Sequence, residues 1–94
     1  MKTYEMIYVL DTAVADEAKE AFGKKLEDVI TSNGGTVVSV DKWGVKKLAY
    51  PINYKNDGDY VLLTFEADGA IVKELDRIAG LTSDVLRRMI TVKA

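Results

Sequence analysis

The residues with the clearest potential for chemistry lie in one segment, residues 41–52, where cations stand beside aromatic side chains. The segment holds the single Trp and the single Pro of the chain, and the adjacent cations Lys46 and Lys47 precede Tyr50. Lysines contact phosphates and aromatic rings stack on unpaired bases, so this composition favours contact with RNA. Because Pro51 has no backbone N–H to donate, we expect the segment at the edge of a sheet. The residues leave open an alternative, a solvent-exposed edge that charge and proline protect against aggregation.

The other polar residues offer little for catalysis. The chain has no Cys and no His, so it lacks a thiolate, the commonest acid–base group and the commonest metal ligand. Its serines therefore have no histidine base to activate them. Asp57 and Asp59 flank Gly58 in a polar segment that predicts a hairpin turn, not a catalytic or metal-binding pair. We expect no catalytic residue, no metal site and no cofactor.

Length and composition predict one domain spanning residues 1–94. Apolar residues make up 48% of the chain and charged residues 30%, with a formal net charge of −2. This charge argues against indiscriminate binding of polyanions but allows local basic patches. The first residues run into a strand pattern without a signal peptide, and no apolar run approaches the roughly 20 residues of a membrane span. The absence of Cys is compatible with the cytoplasm.

Hydrophobic periodicity predicts the order strand, helix, strand, strand, helix, strand. The predicted strands cover residues 3–10, 36–52, 60–66 and 85–93, with a bend at Gly44 and a turn over 53–59. The first helix begins between Thr12 and Asp16 and ends at the glycines that follow Asn33. Asp68 is expected to cap the second helix, and Gly80 to end it.

This order is that of an α+β fold, the ferredoxin-like βαββαβ sandwich, in which two helices cover one face of a four-stranded antiparallel sheet. Alternation in the first strand turns Tyr8 towards the helices. The other face is left open by the chain, and a contiguous apolar patch there indicates a partner. Its predicted members are Ile7, Val9, Tyr60 and Leu62. For the last strand two inward sets remain open, one containing Leu86, Arg88, Ile90 and Val92 and the other Val85, Arg87, Met89 and Thr91.

Cations elsewhere add to the candidate RNA surface. Lys55 lies in the predicted hairpin turn. The first and last strands are neighbours in this fold, so we expect their cations to gather: Lys2, Arg87, Arg88 and Lys93. Alternatively, the two arginines pair with Glu5 across the strands. The RNA-recognition-motif fold has the same topology, but the third strand lacks its basic-Gly-aromatic run, and Tyr8 faces away from any RNA.

Several motifs resemble those of a known family, the bacterial small-subunit ribosomal protein six family. The resemblance covers essentially the whole chain. Its most specific part is the run Trp43-Gly44-Val45-Lys46-Lys47-Leu48-Ala49-Tyr50-Pro51-Ile52, and Lys2-Thr3-Tyr4-Glu5, Asn33-Gly34-Gly35 and Gly58-Asp59-Tyr60-Val61-Leu62 also match.

The resemblance implies a structural protein of the cytoplasmic ribosome with no enzymatic activity. Such proteins bind the central domain of the small-subunit ribosomal RNA together with small-subunit ribosomal protein eighteen. By position, Lys46, Lys47 and Tyr50 match the family's RNA-facing edge, and Lys2, Arg87 and Arg88 fall where basic residues are usual. Lys55 and Lys93, placed above from the sequence pattern, complete the predicted RNA-binding set. The residues expected to meet the partner protein are Ile7, Val9, Trp43, Tyr60 and Leu62. Asp57 and Asp59 stand where relatives often carry basic residues or His, so RNA contact is not carried over to them.

A second hypothesis has the same topology but another function, a regulatory module that binds a small molecule as a homodimer. Such modules usually hold their ligand near the loop between the first strand and the first helix. Here residues 11–15 contain no glycine and offer few oriented donors. The first hypothesis instead predicts a monomer when the chain is free of its partner.

Overall fold

A computed structural model describes the backbone over residues 1–52 and 55–93 and the side chains over 1–48 and 56–93. The elements follow the predicted order: β1 (Lys2–Leu10), α1 (Asp16–Ser32), β2 (Thr36–Ile52), β3 (Lys55–Ala67), α2 (Gly69–Leu81) and β4 (Val85–Val92). The strands form one antiparallel four-stranded sheet in the order β2-β3-β1-β4. The ferredoxin-like prediction is confirmed.

The core lies between the sheet and the two helices. In the central strand pair, Tyr4, Met6 and Tyr8 stand opposite Phe65, Leu63 and Val61, and all six side chains belong to the helix side of the sheet. The helices complete this core with one buried stripe each: Phe22, Leu26 and Ile30 from α1, and Ile71, Leu75, Ile78 and Ala79 from α2. Since successive strand residues point to opposite faces, Ile7 and Leu62 are on the other side.

Two of the helix ends use local hydrogen bonds that the sequence predicts, whereas α2 continues past the predicted stop at Gly80 to Leu81. The Asp68 carboxylate accepts from the backbone N–H of Ile71 at 3.0 Å, which confirms it as the N-cap of α2. At the end of α1, Gly35 N donates to Ile30 O at 2.8 Å and Gly34 N to Thr31 O at 3.3 Å. This pair of bonds is a Schellman motif, so the glycines end the helix as expected.

The hairpin between β2 and β3 is longer than predicted. β3 begins at Lys55 and not at residue 60, so Asp57 and Asp59 lie in the strand opposite Lys47 and Val45. The prediction that they form a turn is wrong. The side chain of Asp59 accepts from Lys19 Nζ of α1 at 2.9 Å, and this ion pair is largely buried. The pairing of β3 with β2 and the ion pair thus stabilise the strand more than the Asp-Gly-Asp sequence favours a turn.

The register of β4 settles the inward set of the last strand. Arg88, Ile90 and Val92 stand opposite the helix-facing residues Tyr8, Met6 and Tyr4. A register shift lies beside Val9 and Leu10, and at this end of β4 it is Val85 that packs against the core. The inward set is therefore a mixture of the two predicted sets, because a bulge changes the alternation within the strand.

No helix among residues 1–52 and 55–93 is long and apolar enough to cross a membrane.

Gly23 lies inside α1, and a methyl group there would meet only the Tyr8 hydroxyl oxygen, at 3.4 Å, which is an ordinary contact. Because glycine costs a helix interior about 1 kcal/mol relative to alanine, we expect Gly23→Ala to raise the free energy of unfolding by about that amount. Urea denaturation measures the change. Gly35→Ala is the contrasting variant, since its methyl group would lie 2.7 Å from Glu66 O and 2.8 Å from Ile30 Cγ2. A Gly23→Ala protein less stable than the parent would mean that the added methyl group does not fit beside Tyr8.

Candidate nucleic-acid and partner interface

The open face of the sheet carries a stacked aromatic pair. Trp43 of β2 lies against Tyr60 of β3 with ring centroids 6.4 Å apart and an interplanar angle of 15°. Lys46 places Nζ 5.1 Å from the Trp43 ring, a cation–π contact. The Trp43 indole N–H also donates to Asp41 Oδ2 at 3.1 Å. These contacts hold a large aromatic surface in place, although Trp43 remains 39% exposed.

Three apolar side chains extend this surface across the sheet. Leu62 of β3 stands opposite Asp41 on one side and Ile7 on the other, and Ile7 in turn stands opposite Met89 of β4. Ile7 and Leu62 are half-buried, and Met89 is 47% exposed. We call Trp43, Tyr60, Leu62, Ile7 and Met89 the open-face patch. Met89 was missing from the sequence-based set because its orientation depends on the register of β4.

Val9 lies on the open face but is not accessible. It is only 1% exposed, whereas the sequence predicted an uncovered residue. The long hairpin explains the difference. A side chain at Gly58 would overlap the Val9 Cγ1 methyl group and lie 3.3 Å from Leu48 Cδ2, so both residues pack close to this glycine. Leu48 is itself buried, and the chain therefore covers this part of its own sheet.

Lys46 and Lys47 lie on the outer strand of the sheet, as predicted. Among the strands that the structure describes, β2 pairs with β3 alone, and both lysines are exposed. Lys46 shares the open face with Trp43, while Lys47 is the next residue along the strand and points to the other face. Gly44 has a φ of 80° and lies at a register shift, which confirms the predicted bend. The strand edge therefore presents a cation towards each side.

The cations of β1 and β4 do not gather. Lys93 N donates to Thr3 O at 2.8 Å, so Lys93 and Lys2 share one end of the sheet, whereas Arg88 stands opposite Tyr8. Thr3 and Tyr8 are five residues apart, a span of about 17 Å in a strand. The expectation of one cluster is wrong because antiparallel pairing places the arginines at the opposite end.

The two arginines also differ from each other. Arg88 turns to the helix side and donates from Nε to Asp76 Oδ1 of α2 at 2.8 Å, instead of pairing with Glu5. Arg87 stands opposite Val9 and points to the open face, beyond one end of the open-face patch. Tyr50 and Lys55 are also predicted RNA-binding residues, but their side chains lie outside the described part of the structure.

Tyr8 faces the helices, where it cannot stack on a base. Its ring meets Phe22 edge-on at a centroid distance of 5.4 Å. Burial raises the pKa of Tyr8 to about 12, and the negative charges of Glu27 and Asp59 act in the same direction. The phenol is therefore neutral at all physiological pH values. Within the described part of the chain, no group of His, Cys, Asp and Glu could hold a metal ion.

The fold and this surface define a class, the small α+β sandwich proteins whose two helices leave one sheet face uncovered. Comparison with known proteins identifies the family. The model of the family described as Ribosomal protein S6 matches residues 3–92. The small ribosomal subunit protein bS6 of Clostridium novyi is 41% identical over 90 residues, which cover 96% of this chain and 95% of that protein. The bS6 protein of Desulfitobacterium hafniense is 40% identical over 93 residues, or 99% of this chain and 98% of the relative.

Solved structures agree. The crystal structure of 30S ribosomal protein S6 from Thermotoga maritima superposes with a TM-score of 0.90 at 26% identity, over 98% of this chain and 87% of that chain. The C-terminal domain of the MgtC protein from Mycobacterium tuberculosis shares the fold alone, with a TM-score of 0.68 at 10% identity over 99% of this chain and 88% of that one. The chain belongs to the ribosomal protein S6 family. It is a structural protein of the small subunit in the cytoplasmic ribosome of bacteria, and not an enzyme.

The buried Tyr8 phenol predicts a loss of stability at high pH. Its pKa is raised from 10.0 to about 12, so the unfolded chain loses this proton first as the pH rises. The stabilisation is complete below about pH 10 and is lost between about pH 10 and pH 12. Between about pH 9 and pH 11.5, we expect the parent to lose about 2 kcal/mol more unfolding free energy than Tyr8→Phe. Urea denaturation of both proteins at the two pH values measures this difference, and equal losses would contradict it.

Proposed function

We propose that the chain binds the central domain of the small-subunit ribosomal RNA together with small-subunit ribosomal protein eighteen. The observation that carries the proposal is that exposed Trp43, which stacks on Tyr60, lies on the same outer strand as the exposed residues Lys46 and Lys47. Aromatic residues in a partly desolvated patch are typical anchors of protein interfaces, while lysines at an edge are suited to phosphates. In this proposal the aromatic surface binds the protein partner, and the edge lysines bind the RNA.

The RNA contact is centred on Lys46 and Lys47. Both project from the edge of the sheet, where none of the described strands lies in the way of a nucleic acid backbone. Lys2 and Lys93 form a second, separate basic point at the far end of β1 and β4. Arg88 is a weaker candidate than these lysines, because Asp76 already neutralises its charge.

The protein partner covers the open-face patch. Trp43 and Tyr60 supply its aromatic centre, and Ile7, Leu62 and Met89 its apolar continuation. Asp41, Glu5 and Glu66 lie on the same face of the sheet. Together with the net charge of −2, these carboxylates suit a basic partner, since complementary charge favours association. Without that partner we expect the chain to sediment as a monomer.

Replacing the two edge lysines tests the RNA contact. Lys46→Ala/Lys47→Ala should weaken assembly of the chain and its partner on the RNA. Each lost phosphate contact lowers the magnitude of the slope of log K against log salt by about 0.7–0.9, so the double variant should lose about 1.4–1.8. Filter binding over a range of salt concentrations measures both quantities.

Lys25→Ala/Lys73→Ala is the matched control, because it removes the same charge from exposed lysines on α1 and α2. Its slope should equal that of the parent. Lys47→Ala alone separates phosphate contact from any effect through Trp43, because Lys46 forms the cation–π contact with that ring and Lys47 points to the other face. The proposal fails if the double variant keeps the slope of the parent.

The single Trp of the chain reports directly on the open face. Adding the protein partner should shift Trp43 emission to shorter wavelength, because the exposed indole becomes buried. Trp43→Ala should weaken the partner complex by about tenfold or more, as expected for an aromatic anchor. Fluorescence titration measures the first effect, and calorimetry the second.

Val45→Ala serves as the control for this substitution. Val45 is 61% exposed on the same strand, but it stands opposite Asp59 and so belongs to the other face. Its truncation should leave partner affinity unchanged. Equal losses in the two variants, or an emission maximum that the partner does not move, would exclude the open face as the interface.

A further inference from the structure

A cavity of about 400 Å³ lies on the helix side of the sheet, between α1 and strands β1, β2 and β3. Its apolar wall includes Leu10, Val40 and Val61. It is separate from the open-face patch, which lies on the other side of the same strands. A volume of this size is within the range of small-ligand sites.

The hydroxyl group of Tyr8 borders this cavity without a partner. Tyr8 is only 3% exposed, yet among the described residues its oxygen atom neither donates nor accepts a hydrogen bond. Among the described residues no fully buried side-chain oxygen or nitrogen atom lacks a hydrogen-bond partner, so the Tyr8 oxygen atom is open to solvent. The ring of Tyr8 packs against Phe22 within the core, and the residue also lines the cavity, from which its oxygen atom can be reached.

Gly23 keeps the cavity open. It stands in the interior of α1 and lines the cavity beside the Tyr8 oxygen atom. No close approach of another element requires glycine here, since an added Cβ would be in ordinary contact at 3.4 Å. A side chain larger than that of alanine would instead extend into the empty volume. The helix thus tolerates an unfavourable residue at the position where a side chain would occupy the site.

The charges around the Tyr8 hydroxyl favour a cation. Glu27 and Asp59 are close enough to act on the phenol. Lys19 neutralises Asp59 through the ion pair at 2.9 Å, whereas Glu27 forms no ion pair with any residue that the structure describes. The charged residues that line the cavity are Asp16, Glu20, Glu27 and Asp59 against Lys19, Lys24 and Lys42, so the lining has a formal charge of −1.

We propose that this cavity binds an ammonium or guanidinium group carried on a short alkyl chain. The Glu27 carboxylate pairs with the cation, and the Tyr8 oxygen atom accepts a hydrogen bond from one N–H group of that cation. The alkyl chain lies along Val40 and Leu10. A free alkylamine and a Lys or Arg side chain of a bound protein present the same chemistry, so either source fits the site.

Probes that share one alkyl chain test the charge preference. Butylammonium, butylguanidinium, butanol and butyrate are each titrated into the isotopically labelled full chain, and amide shifts of Gly23, Val40 and Asp59 are followed by NMR. We expect saturable shifts with the two cations, with dissociation constants on the order of millimolar for such small ligands. Butanol and butyrate should not saturate. Equal binding of butanol or butyrate, or no saturation by either cation up to about fifty times the expected constant, overturns the proposal.

Three variants test the assigned roles. Glu27→Gln should weaken binding of butylammonium by roughly tenfold, and Tyr8→Phe by roughly threefold, since charged hydrogen bonds are the stronger ones. Asp28→Asn is the matched control, because Asp28 neighbours Glu27 on α1 but does not line the cavity. It should bind like the parent. Because the Tyr8 hydroxyl has no partner in the described fold, Tyr8→Phe should fold normally, which keeps the test valid.

The source of the cation is separated by a second measurement. If a Lys or Arg side chain of the protein partner occupies the cavity, Glu27→Gln also weakens the partner complex, whereas Asp28→Asn does not. If the source is a free alkylamine, Glu27→Gln leaves the partner complex unchanged and weakens only the binding of butylammonium. Unchanged binding of butylammonium to Glu27→Gln contradicts both forms of the proposal.

Discussion

Two helices can cover only one face of a four-stranded sheet, and this limit determines the surfaces of the molecule. Alternation along β1 places Met6 and Tyr8 in the core, so the intervening Ile7 must point to the uncovered side. The same applies to Leu63 and Leu62 on β3. The chain cannot bury both sets, and the half-buried residues of the open-face patch follow directly from the packing of the core.

Local signals made most of the fold predictable. The Asp68 cap and the glycines after α1 act within a few residues, so their sequence patterns suffice. The faces of β1 could be assigned because this strand alternates without interruption from Tyr4 to Val9 against β3. The first residue of β3 could not be predicted from the sequence. Asp57 and Asp59 have turn composition, but their pairing with β2 and the ion pair to Lys19 are long-range contacts.

The candidate site was predictable to the extent that it depends on alternation. The opposite orientations of Lys46 and Lys47 follow from their adjacency in a strand. The clustering of Lys2 with Arg87 did not follow, because neighbouring strands bring together only residues at the same height. Val9 was assigned to the correct face, but its burial under Gly58 and Leu48 depends on how the hairpin curves over the sheet. The sequence offered one indication of the cavity beside Tyr8, the glycine inside α1. This glycine alone could not predict a cavity, because a void becomes recognisable only when the packing around it is known.

The two candidate surfaces are back to back on β2. Lys42 lines the cavity, whereas its neighbour Trp43 stacks on the open face. A shift in the backbone of β2 would therefore change both surfaces at once, so a substitution on this strand is compared with a control on the same strand, such as Val45→Ala. Residues on other elements need no such control. Glu27 belongs to α1 and borders only the cavity, while Met89 belongs to β4 and lies only on the open-face patch. Because neither is on β2, effects at these two positions are expected to be additive unless the two surfaces are energetically coupled.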